Sequence, residues 1–335
     1  MQTIFSNLQS VFQGKVTLVI GYVLLGILLF QGLVLLYLLL RRTYFEREHQ
    51  RLSRERLQLL IKAAAIQCRE AEQTKLVWNG HRKFQVTKKV TECNGVCSFY
   101  LAPHDGKPLP PFKPGQYITF NLNIPGVAKP VVRCYSLSDS PHRSNYYRVT
   151  IKKEPAPPDR PELSPGLASS YFCDRIKEGD ILDVKAPCGN FFLDMSKETP
   201  VVLVSGGVGV TPMLSMANSI AASGSRREVW FFFGARNWQE HIHKEEMLKL
   251  AAEHDNIHLH VCYSRPDSSK DRKGIDYHHE GRVSVELFKE LLPSNNYEFF
   301  LCGNGAFMKS ISDGLEAWGV PDKNVYFEAF GPATV

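Results

Sequence analysis

Three short stretches of this 335-residue chain have the residue types and spacing to do chemistry. Val201–Ile220 reads VVLVSGGVGVTPMLSMANSI: a buried strand over Val201–Val204, a turn holding Gly206, Gly207 and Gly209, then a helix opening at Thr211 and Pro212. Glycine lets backbone approach a bulky anion and adopt positive φ. With Thr211 as N-cap and Pro212 at the first helical position, the free N–H groups and positive dipole end would suit a pyrophosphate. Arg133-Cys134-Tyr135-Ser136 puts a cation, a flat aromatic and a hydroxyl at the end of a strand. Arg133 can grip phosphate bidentately, Tyr135 can pack against a ring or its chain, and Ser136 can hydrogen-bond a ring nitrogen. That set suits a phosphorylated planar cofactor. Gly166-Leu167-Ala168-Ser169-Ser170-Tyr171 then reads as a glycine turn with a serine at a helix start, a second anion-binding terminus.

The elements that must position these residues come in two textures. From Trp78, short alternating segments bounded by Gly, Pro, Asn or Asp read as strands: Phe84–Glu92, Val96–Ala102, Gln116–Ile124, Val131–Ser138, Tyr146–Lys153 and Asp180–Pro187. Six such strands predict a small antiparallel barrel. Glu154–Pro165 is a proline-rich surface loop. From Pro200 the pattern changes to strand–helix alternation, with strands at Val201–Val204, Glu228–Ala235, Ile257–Tyr263, Glu298–Leu301 and Val325–Phe327. Helices are expected between them at about 211–223, 240–253, 284–292 and 304–318. This predicts a doubly wound parallel sheet with its ligand outside the carboxyl ends of the strands.

Ahead of both lies Val16–Leu40, a run of 25 residues in which only Thr17 and Gln31 are clearly polar. It is long enough to cross a bilayer and too long for a signal-peptide core. Arg41, Arg42, Arg47, Arg51, Arg54 and Arg56 follow it while only Lys15 precedes it, which places the C-terminal part in the cytoplasm. Thr43–Lys75, without Gly or Pro, reads as a juxtamembrane helix acting as a spacer. The net charge of +6 has much of its excess near this N-terminal part, so it reads as membrane-side charge and not as a nucleic-acid footprint. The eight cysteines are scattered; Cys93 and Cys97 are the one close pair, and no second pair completes a zinc or iron–sulfur site. His278 and His279 with Asp276 lack a fitting third metal ligand, and His241 and His243 are poorly spaced for one helical face. The expected domains are 1–42 (tail and transmembrane helix), 43–77 (linker), 78–197 (barrel) and 198–335 (α/β).

The order RCYSLS, GLASSYF, VSGGVGVTPM, CGNG and FEAFGP resembles the ferredoxin–NADP reductase superfamily, most of all the reductase portions of flavohemoglobins and of oxygenase electron-transfer chains. The resemblance runs from Trp78 to Pro332. It implies that Arg133, Tyr135 and Ser136 hold a flavin, with Val149, Ile151 and Lys152 on the strand alongside and Gly166, Ala168 and Ser169 on its pyrophosphate. It assigns Gly206, Gly207, Gly209, Thr211 and Pro212 to a nicotinamide dinucleotide, puts Cys302 and Gly303 beside the nicotinamide, and folds Glu328 and Phe330 back over the flavin. Ser136, Cys302 and Glu328 are then the catalytic candidates for hydride transfer, chemistry that asks mainly for position and electrostatics. Two pyrophosphate-type sites favour FAD over FMN. Arg236, Ser264 and Arg265 follow the second and third sheet strands, with Lys270, Arg272 and Lys273 close behind, and could receive a 2′-phosphate. Ser-Arg resembles NADPH users, yet Tyr-Ser-Arg-Pro also resembles some NADH users, so the donor is NAD(P)H with a slight lean to NADPH. The plant-type Cys-x4-Cys-x2-Cys set of some relatives is missing, which makes the electron acceptor external: an iron–sulfur or haem protein, or a membrane redox component. The alternative is a non-catalytic flavin- and nucleotide-binding redox sensor.

Overall fold

The computed structural model describes residues 20–22, 24–44, 51, 58, 76–156, 162 and 164–330. The chain divides into two units, Met1–Glu72 and Gln73–Val335. In the first, helix α1 (Ile20–Tyr44) has a mean hydropathy of 2.7 and is long and apolar enough to cross a membrane. The expected run begins at Val16, outside the described residues, as do most of the Thr43–Lys75 spacer and the middle of the proline-rich loop.

The second unit opens with six strands, β1 (Arg82–Cys93), β2 (Val96–Pro103), β3 (Tyr117–Leu122), β4 (Val131–Ser136), β5 (Tyr147–Lys152) and β6 (Ile181–Cys188), with α2 (Leu167–Asp174) between the last two. Their antiparallel order is β4-β3-β6-β1-β2-β5. An antiparallel bridge between Leu137 and Val149 joins the two ends, so the expected barrel closes just beyond the Arg-Cys-Tyr-Ser segment. Alternate residues fill its core: Phe84, Phe99, Phe120, Tyr147, Val149 and Ile151, with Phe172 of α2 plugging one end. Burying one face of each strand in this way fixes the register, since a slip by one residue would turn every side chain to the wrong side.

The sheet that follows is wholly parallel: β7 (Val201–Gly206), α3 (Val210–Ser223), β8 (Val229–Ala235), α4 (Lys244–Glu253), β9 (Ile257–Tyr263), β10 (His279–Glu280), α5 (Val285–Leu291), β11 (Glu298–Gly303), α6 (Gly305–Ala317) and β12 (Val325–Ala329). Its order is β10-β9-β8-β7-β11-β12. Near-continuous apolar runs such as VVLV and WFFF are what a strand covered on both faces requires. One face packs on α3, α4 and barrel residues Val96, Phe191 and Leu193, the other on α5 and α6. The strand order reverses between β7 and β11, and the crevice at that switch point is where such sheets bind ligands.

Three local expectations need correction. Helix α3 begins at Val210 with Gly209 at the N-cap, so Thr211 caps nothing; its hydroxyl donates back to the Val208 carbonyl at 3.0 Å. Pro212 is third in the helix, where its missing N–H still costs no bond. Helix α4 starts at Lys244, because His243 stands in a left-handed conformation with φ 54° and cannot belong to the helix expected from 240.

Candidate active site

Ends of β7, β11 and β12 meet the end of β4 in one cleft. Cys302 is in register with Ser205 on one side and with Glu328 on the other. Registered residues in a parallel sheet point the same way, so a hydroxyl, a thiol and a carboxylate form a row on the barrel-facing side. Ser136, last residue of β4, hydrogen-bonds Glu328 through Oγ to Oε2 at 3.5 Å. The structure thus brings together all three catalytic candidates, Ser136, Cys302 and Glu328, from two domains. Burial pushes the Glu328 carboxyl up to about 7, against the opposing pull of the Ser136 hydrogen bond. Cys302 is fully buried, and burial plus the neighbouring carboxylate raise its thiol well above the ordinary range, so it stays protonated. Ser205 Oγ is buried without a partner.

On the nucleotide side the loop is shaped by backbone. A short 3-10 turn, Gly207–Gly209, carries the chain from β7 into α3. Gly207 has φ +56°. A Cβ at Gly209 would overlap the Cys302 carbonyl, so that residue must be glycine for the loop to sit against β11. Gly206 and Gly303 both lie under the Phe307 ring. Phe330 donates its N–H to the Gly303 carbonyl at 2.9 Å, fixing the residue after β12 beside the Cys-Gly-Asn-Gly turn. At the far end of the sheet, Arg236, Ser264 and Arg265 line one cavity of about 370 Å³ together with Gly281 and Arg282. Arg272 is held by Asp276 instead, and Lys270 lies over the Trp238 ring.

On the barrel side Arg133 and Tyr135 share one face of β4 and Ser136 lies on the other. Tyr135 packs edge-on to Phe120 and Phe172, and burial raises its phenol to about 12. Arg133 is exposed, with one N–H on the Val132 carbonyl at 2.7 Å. Val149 and Ile151 send their side chains into the barrel core, leaving only their backbone to a cofactor; Lys152, on the opposite face, is half-buried. Gly166 is the N-cap of α2 and no side chain caps that end. Ala168 is buried, and Ser169 spends its hydroxyl internally, donating to the Gly166 carbonyl and accepting from the Glu154 N–H, both at 3.1 Å. Ser170 Oγ is the one left buried without a partner there.

Sequence reasoning missed four residues of this region. Tyr117 is in register with Ser136, and a hydrogen bond with Cys188 raises its phenol to about 12. Ser170, Ser205 and Arg282 are the others. An orphaned hydroxyl at the α2 end, an exposed guanidinium and a glycine loop open above Gly207 together fit a phosphate-bearing dinucleotide, as the residues expected for FAD and nicotinamide binding require.

Comparison with known proteins agrees with this geometry. Residues 83–193 match an oxidoreductase FAD-binding domain and residues 203–313 an oxidoreductase NAD-binding domain. The flavohem-like FAD/NAD-binding domain of a nitric oxide dioxygenase from Vibrio cholerae shares 32% identity at a TM-score of 0.66, covering 76% of this chain and all of that one. Phthalate dioxygenase reductase, at 26% identity and a TM-score of 0.58, covers 76% of this chain and 70% of its own. The chain belongs to the ferredoxin–NADP reductase-like family of FAD- and NAD-binding oxidoreductases. Within that family its relatives include flavohemoproteins. That of Halalkalibacterium halodurans is 41% identical over 264 residues, 79% of this chain and 63% of the relative. The chain thus spans under two thirds of the length of the flavohemoproteins it matches.

Proposed function

We propose that this protein is a membrane-anchored reductase whose 78–197 domain holds FAD and whose 198–335 domain presents NAD(P)H to it, and that it passes electrons to an external iron–sulfur, haem or membrane acceptor. The observation that carries this reading is the Ser136–Glu328 contact, which joins the flavin-type strand end to the nucleotide-type sheet at β12, one strand from the switch point. FAD bound there supplies hydride acceptance from NAD(P)H and release of electrons one at a time.

The chain's own part is to bind, orient and adjust charge. Arg133 would take the cofactor phosphates, with the Gly166 turn and the Ser170 hydroxyl at the pyrophosphate and Ser136 at the ring. Cys302, neutral and fully enclosed, gives the nicotinamide a dry floor. Glu328 can hold a proton at its carboxylate below about pH 7 and present no negative charge to the reacting rings. Arg236, Ser264, Arg265 and Arg282 surround a cavity suited to a 2′-phosphate, which supports the lean to NADPH. Helix α1, which carries Arg41 and Arg42 in its last turn, supports a single-pass anchor with the reductase on the cytoplasmic side.

Replacing Cys302 with Ala tests the assignment. Flavin content should stay near that of the parent while the rate of flavin reduction by NAD(P)H falls about tenfold, a loss of about 1.4 kcal/mol of transition-state stabilisation. Unaltered reduction kinetics would remove Cys302 from the site.

A further inference from the structure

A second polar cluster lies between barrel and sheet, and the chemistry above does not use it. Arg148, on β5, is buried and forks onto Glu246 of α4, Nη1 to Oε2 at 2.8 Å and Nη2 to Oε1 at 2.9 Å. The same guanidinium donates through Nε to Ser138 Oγ at 3.1 Å and through Nη2 to the Ser138 carbonyl. Ser138 stands two residues beyond Ser136. From the other side, α3 reaches the same place: Ser215 Oγ donates to the Asp139 carbonyl at 2.8 Å, and Asn218 Nδ2 donates to Glu246 Oε1 at 2.8 Å. His243 completes it, bonding Thr150 Oγ1 through Nε2 at 2.9 Å while Nδ1 faces Glu246 at 3.2 Å and Glu92 at 3.4 Å. His243 is the one non-glycine residue with positive φ among the described residues, and its two-sided bonding holds it there.

We propose that this cluster is a positioning latch for hydride transfer, an inference that rests on the reductase reading above. Its members tie the exit of the flavin-type strand, Ser138–Asp139, to α3, the helix opened by the nucleotide loop. Two domains joined by an ordinary interface move relative to each other by default. A bidentate fork with its guanidinium buried and its carboxylate partly covered gives one orientation and few alternatives, and fixes geometry more than it adds stability. Burial disfavours charge on Glu246, but hydrogen bonds from His243 and Arg148 and the Arg148 charge hold its carboxyl far below the usual range, so the fork stays ionised. Misplacing two reacting groups by about 1 Å can cost on the order of a hundredfold in rate. Arg148, Glu246 and Ser215 therefore act on the reaction without touching it.

The test uses the full-length protein with bound flavin and two substitutions, Glu246→Gln and Ser215→Ala. Flavin content, the rate constant of flavin bleaching by excess nicotinamide donor, and reoxidation of the bleached flavin by ferricyanide are measured for each. The latch predicts bleaching slower by about tenfold or more in Glu246→Gln and severalfold in Ser215→Ala, with flavin content and reoxidation within about twofold of the parent. A merely structural role would lower the amplitude through a smaller active fraction and leave the rate constant alone. Bleaching rate constants equal to the parent in Ser215→Ala overturn the latch, and that variant removes a single hydroxyl, so it decides the matter even where Glu246→Gln fails to fold. A parent protein that neither nucleotide bleaches overturns the reductase reading instead, and shows it before any variant is made.

Discussion

The barrel side of the cleft offers side chains: an exposed guanidinium at Arg133, a packed phenol at Tyr135, a hydroxyl at Ser136. The sheet side offers backbone: a glycine loop pressed onto the Cys302 carbonyl and a strand end closed by the Phe330–Gly303 hydrogen bond. A grip made of side chains can be weakened one group at a time while the barrel stays folded, since among the described residues Arg133 hydrogen-bonds only its neighbour's carbonyl. A grip made of backbone has no such slack. On the proposed reading, the difference would separate a tightly held cofactor, gripped by charge and stacking, from an exchanging nucleotide, received by shape.

Gly209→Ala should show the largest effect. Its methyl must displace the β11 backbone, an overpacking cost of about 1–3 kcal/mol, and the shifted loop should abolish bleaching by nicotinamide. Thermal unfolding and stopped-flow absorbance would show it; a variant of parental stability and rate would mean that the loop is not locked. Arg133→Ala should next lower flavin affinity by about tenfold or more, because a charge-assisted phosphate bond contributes about 1.5–3 kcal/mol. Bound flavin after desalting is the readout, and full retention would erase the contrast between the two sides. Arg282→Ala should raise KM for NADPH about tenfold and leave NADH within about twofold, the signature of one lost contact to a 2′-phosphate. Equal changes for both donors would assign the cavity another role.

The smallest expected effect is on pH. The Glu328 carboxyl has a folded pKa raised by burial to about 7, so its neutral form is favoured in the fold. Whatever it contributes is present at low pH and lost as pH rises through about 7. The bleaching rate should fall severalfold across that window, and Glu328→Gln should be flat there. A Gln variant with the parental pH profile would place the titration elsewhere.

Both architectures are legible in the sequence, because period-two strands bounded by turn residues and near-continuous apolar strands between helices are local patterns. The site is legible only where a motif carries it. Thr211 looks like a cap by residue type, yet the 3-10 turn brings the helix start two residues earlier and turns its hydroxyl inward. Arg282 follows β10, a strand of two residues that no periodicity can reveal, and joins Arg236 and Arg265 only through tertiary folding. Tyr117 reads as one more strand aromatic until register sets it opposite Ser136. Arg148 and Glu246 lie 98 positions apart, and nothing local links them.

The central claim is that the barrel holds a flavin which nicotinamide bound at the neighbouring sheet reduces. Its most direct test is the absorbance spectrum of the full-length protein purified in detergent, recorded without oxygen before and after NADH and NADPH are added in separate cuvettes. The account predicts a yellow protein bleached within the mixing time, faster by NADPH. A protein that stays colourless after FAD is supplied, or a yellow one that neither nucleotide bleaches, would contradict it.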